Sequence, residues 1–119
     1  MLYMTSVTAF NDIMGQFLME LHKTFPEEKG LKKYIAAFEL MRSTNGKIIV
    51  DGFMENVTPH VDKINSKDES FFLEHAENIE FLKDINLKGC WPKASPGTKD
   101  AIWQYLQTLY MLGTTITAI

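Results

Sequence analysis

Apolar residues return at helical spacing along most of the chain. Phe10, Ile13, Met14, Phe17, Leu18 and Leu21 follow the i, i+3, i+4, i+7 rule, with Asn11, Asp12, Gln16, Glu20 and Lys23 on the other side. The spacing predicts a first amphipathic helix, capped at Ser6 or Thr8 and ended by Thr24-Phe25-Pro26. A second is expected from Glu27 to Ser43, burying Leu31, Tyr34, Ile35, Phe38 and Met41, with Ala36 and Ala37 as a place for a neighbouring helix to come close. Ser43-Thr44-Asn45-Gly46 has the composition of a turn. Residues 47–53 admit two readings. Ile48-Ile49-Val50 suits a short strand, but Phe53, Val57, Val61 and Ile64 continue at helical spacing and no second strand offers itself for pairing. A helix from Lys47 to about Thr58, kinked or restarted at Pro59, is therefore preferred.

The middle of the chain is less regular. Ser66 to Glu69 reads as a capping box ahead of Phe71, Phe72 and Leu73, and a short helix is expected from Glu77 to Ile85. Gly89 and Pro92 argue for an irregular stretch from Leu87 to Ala94, pinned to the body by Trp91. The strongest stretch comes last. From Thr98 to Gly113, Ile102, Tyr105, Leu106, Leu109 and Leu112 form a core stripe that Ala101, Trp103 and Tyr110 widen, leaving Asp100, Gln104, Gln107 and Thr108 polar. Ser95 and Pro96 mark its start, and Gly113 is expected to end it. The fold read from this pattern is all-α. Residues 1–119 make one domain of four main helices plus one or two short ones, with the last helix central.

Composition bounds what such a fold does. At 45% hydrophobic and 23% charged residues the chain is neither disordered nor a membrane protein in type, and its net charge of −3 disfavours a general nucleic-acid binder. Charge is uneven, however. Eight acids fall between Asp51 and Leu82 against Lys63 and Lys67, whereas Lys83, Lys88, Lys93 and Lys99 share their stretch with Asp84 alone. The single cysteine, Cys90, excludes an internal disulfide, and MLYMTSVTAF lacks the pattern of a secretory signal, so a cytoplasmic location is expected. Ala101 to Ile119 carry no charge, yet their glutamines and threonines are too polar for a bilayer core, and no membrane partner is expected.

Candidate chemistry is sparse. His60, Asp62 and His75 are the residues a metal site would draw on, but no HExxH and no histidines at i, i+4 spacing occur, and surface histidines are the simpler reading. No cofactor motif is present, neither GxGxxG nor GxxxxGK[ST]. Cys90 lies among Lys88, Trp91 and Lys93, a setting that activates a thiol, but a buried or incidental thiol without a base is the simpler reading. Lys83 to Lys99 with Trp91 mixes cations and an aromatic as nucleic-acid surfaces do, but loop lysines around a core tryptophan are the simpler explanation.

Three features, the amphipathic first helix closing at Phe25-Pro26, DESFFL at Asp68 to Leu73, and TKDAIWQYLQTLYML at Thr98 to Leu112, make the chain resemble small helical proteins encoded by large DNA viruses of algae and protists. The resemblance implies an origin in a virus or a virus-rich environment, hence host cytoplasm, and brings no catalytic residues with it. The function expected is that of a non-enzymatic interaction module binding another protein or itself, with Trp91, Trp103, Tyr110, Lys88 and Lys93 as contact candidates. Nucleic-acid binding through Lys83 to Lys99 and a small metal-dependent enzyme using His60, Asp62 and His75 are the alternatives.

Overall fold

The computed structural model describes the backbone of residues 2–117 and the side chains of residues 7–116. Among the described residues seven α-helices follow one another: α1 Leu2–Thr24, α2 Lys29–Asn45, α3 Lys47–Val57, α4 Val61–Asn65, α5 Glu80–Asp84, α6 Leu87–Cys90 and α7 Pro96–Thr117. Short 3-10 turns at Thr58–His60, Ala76–Asn78 and Trp91–Lys93 and a π-helical turn at Phe71–His75 join them. No strand occurs among the described residues, and residues 47–53 are helical. The fold is all-α, as the periodicity predicts. In α3 the buried side chains Ile49, Val50, Phe53, Met54 and Val57 recur every three or four residues, the spacing of one helix face.

α7 lies across α1, α3 and α4 and carries Ile102, Trp103, Leu106, Leu109 and Ile116 into a single cluster of buried side chains. Its start is built as expected: the Thr98 N–H donates to Ser95 Oγ at 3.1 Å, and Pro96, which has no N–H to lose, is the first helical residue. Its end is not. Gly113 lies inside the helix, which runs on to Thr117, and it is buried against Met54 of α3, whose sulfur a Cβ would strike. The missing side chain lets two helices touch. Ala101, expected on the apolar face, is exposed.

α1 starts at Leu2, so positions 6 and 8 lie within the helix rather than at its start. Phe10, Met14, Phe17, Leu18 and Leu21 are buried as their spacing demands. One polar residue joins them: Asn11, 2% exposed, donates from Nδ2 to the Gly46 carbonyl at 3.1 Å. Arg42 donates to the Asn11 carbonyl and pairs with the Asp12 carboxylate, so α1 is tied to the corner between α2 and α3. That corner is one residue long. Gly46 keeps helical angles (φ −61°, ψ −28°), and Asn11 Nδ2 lies 2.8 Å from where its Cβ would be, so a side chain there would have to push the Asn11 amide aside.

The middle segment departs furthest from the expected pattern. The capping box is absent: Ser66 Oγ bonds to the Lys63 carbonyl, and Asp68 takes the capping role by accepting the Ser70 N–H at 2.9 Å. Glu69 turns instead to the indole N–H of Trp91 (2.9 Å) and the ammonium of Lys99 (3.2 Å), and these bonds hold its carboxyl below the usual range. The helix expected from Glu77 to Ile85 splits at Ile79, which is extended. Leu87 to Ala94, expected to be irregular, is mostly helical: Asn86 in the left-handed region (φ 53°) restarts the chain, and Pro92 sits in the first turn of Trp91–Lys93, where its missing N–H costs nothing.

Candidate functional site

α2 and α3 diverge from Gly46 as the arms of a V. A straight helix would place Tyr34 and Asn56 about 33 Å apart; instead both line one groove of about 400 Å³. Tyr34, Ala37 and Met41 form one wall and Ile48, Ile49, Gly52 and Asn56 the other, each set at the i, i+3, i+4 spacing of one helix face. Buried Met14, Phe53 and Phe81 make the floor, with Phe81 5.7 Å from Phe53 and 6.4 Å from Tyr34 between ring centroids.

Two small residues keep the groove open. Ala37 is exposed rather than covered by a neighbouring helix, and a Cβ built on Gly52 meets nothing within 4 Å. At the apex Ile48 is 52% exposed. At the wide end stand Glu80 and Asp84, one turn apart on α5, and among the described residues no lysine or arginine lines the groove. Burial first, then the charges of Asp84 and Glu80, push the Tyr34 hydroxyl up to about 12, so it stays protonated through the neutral range. A concavity with an apolar floor and a few polar groups at its mouth is the usual form of a binding site. A second groove, between the end of α1 and the start of α7, is of similar size at about 440 Å³ but has a more polar lining with Glu20, Thr24, Ser95 and Thr98.

The residues singled out by sequence scatter. Trp91 and Trp103 are 2% and 4% exposed and pack with Phe72, at centroid distances of 4.1 Å and 4.8 Å from it, so both hold the core together and neither offers a contact face. Tyr110 is half-buried against that core. Lys88 and Lys93 are exposed; Lys88 lies 4.0 Å from Glu77, while Lys99 spans Glu69 and the Trp91 ring. The tryptophan that would have stacked on bases is enclosed. Cys90 is buried beside Glu28, and burial followed by that charge pushes its thiol up to about 11, the opposite of an activated nucleophile.

His60 and His75 do meet, from the 3-10 turn that contains Pro59 and the end of the π-helical turn, with ring centroids 4.7 Å apart. Burial, then His75 and Lys63, hold His60 below the ordinary histidine range. Asp62 does not complete them: among the described residues no group of three or more His, Cys, Asp and Glu is placed to hold a metal ion. Nor, among those residues, is any helix long and apolar enough to cross a membrane.

Sequence reasoning passed over Tyr34, Gly52, Glu80 and Asp84 as a group. The signals are present as Ile48 beside a buried stripe, small residues at positions 37 and 52, and Glu80 in the acid-rich stretch, with Asp84 the lone acid of the lysine-rich one, but only the packing of α2, α3 and α5 brings them together. Comparison with protein-family models, curated proteins and solved structures finds no match to this chain.

Proposed function

We propose that the chain is a non-enzymatic protein-interaction module and that another protein docks in the groove between α2 and α3. One observation carries this reading: an apolar concavity stands open at Ala37 and Gly52, on a molecule whose two tryptophans are packed away. Open apolar surface of this kind costs solvation free energy unless something covers it, and interhelical grooves serve as helix receptors in many proteins. The groove presents no nucleophile with a base and no cluster of ligands, which is why binding rather than catalysis is the reading.

Gly52 supplies the test. A phenylalanine there fills the groove from within and adds a side chain that clashes with nothing at its root. Affinity capture from cells that express the chain naturally, run with the native protein and with Gly52→Phe, should recover a partner with the first and lose it with the second, at equal melting temperature. Recovery of the same proteins by both forms would reject the groove as the docking surface.

A further inference from the structure

Resting on the groove as the docking surface, we infer that its partner is a basic amphipathic helix, with an apolar side chain at the Ile48 apex and a lysine or arginine at Glu80 and Asp84. The charge is one-sided. The two charged groups on the groove's rim are acids, they sit one turn apart on the same face of α5, and among the described residues no cation lines the groove beside them. The same two carboxylates also act on Tyr34 in the groove wall, where they add to burial in raising the pKa of its hydroxyl. A guanidinium matches two adjacent carboxylates with its planar fork.

Length sets the spacing. α3 runs 11 residues, about 16 Å, and from Ile48 to Asn56 the groove wall covers about 12 Å. A helix lying along it makes about two turns over that distance, so the basic residue stands about seven or eight positions from the apical apolar one. Further apolar side chains fall between them at i+3 or i+4, over Ala37 and Gly52 where the walls are lowest.

The test uses a displayed library of random peptides of about 16 residues, panned on the intact chain, with each selected clone re-measured on Gly52→Phe and on the doubly neutralised Glu80→Gln, Asp84→Asn chain. Clones lost on Gly52→Phe should carry lysine or arginine about two turns from an apolar anchor. They should bind the neutralised chain about tenfold more weakly, with a shallower salt dependence. If Gly52-dependent clones are neutral or acidic, or bind the neutralised chain as well as the native one, the basic-helix inference fails and the groove reading stands. If no clone depends on Gly52, both fail. Self-association that Gly52→Phe abolishes, read by sedimentation, would also overturn the inference, because the occupant would then be a second copy.

Discussion

Around Trp103, rings from three separate segments close on one another, Phe72 from the π-helical turn, Trp91 from the 3-10 turn and Trp103 from α7, at centroid distances of 4.1 to 5.3 Å. Between α2 and α3, residues of similar apolarity stand apart around a groove of about 400 Å³. The closed cluster takes two of its three rings from short turns, whereas the open groove has its two walls on longer helices. The reason lies in side-chain size. Rings of that area fill any space the short helices leave, whereas Ala37 and Gly52 put no volume where two long helices diverge. Regular secondary structure therefore does not by itself make a filled core.

Breaking the closed half should have the largest effects. Leu106→Asp places an unpaired charge at a fully buried position of α7, a cost of several kcal/mol that is comparable with the whole stability of a domain this size. Circular dichroism should show no cooperative melt; a sharp transition would mean that α7 is not central. Phe72→Ala removes the ring that touches both tryptophans and should cost about 3–5 kcal/mol in denaturant titration. A loss below about 1 kcal/mol would show the cluster to be loosely packed.

Two glycines sharpen the contrast. Gly113→Val drives a branched side chain into Met54 and should destabilise by about 1–3 kcal/mol, whereas Gly52→Ala adds a methyl group in open space within a helix and should stabilise by about 0.5–1 kcal/mol. Effects of the same sign and size would erase the difference between filled and empty interhelical space. The smallest effect concerns pH. His60 packs on Phe71 at the edge of the closed cluster, and its folded pKa lies below the unfolded value near 6.5. The unfolded chain thus binds the proton more readily; this contribution is complete above about pH 6.5 and is lost as pH falls through the folded pKa. Melting temperatures from pH 7.5 to 5 should fall less for His60→Gln than for the native chain, and parallel curves would remove His60 from the account.

Where one helix carries its own pattern, the sequence was readable. α1, α2, α3 and α7 follow from periodicity, and the Ser95-Pro96 start from the chemistry of a first turn. Gly113 was misread because glycine serves both as a helix stop and as a contact point, and only Met54, nearly sixty positions away, decides between them. Ser66 lost its cap for a similar reason: Glu69 found a stronger donor in Trp91 than in the local backbone. The groove was legible in fragments only. Ala36 and Ala37 mark a low helix face, but whether a helix covers them or leaves Ala37 open depends on the angle set at Gly46 and tied by Asn11 and Arg42.

The chain has two tryptophans, and their rings lie 5.3 Å apart at 74° in the closed cluster. Its ultraviolet emission is therefore a local gauge. Excitation absorbed by either indole passes to its neighbour, so a fluorescence signal speaks for the Phe72–Trp91–Trp103 contact and is nearly blind to the groove. A dye-free melt followed at that wavelength would call the molecule intact while α2 and α3 had already parted. Tyr34, inside the groove, is the chromophore that would notice, through its absorbance or an isotope label on its ring.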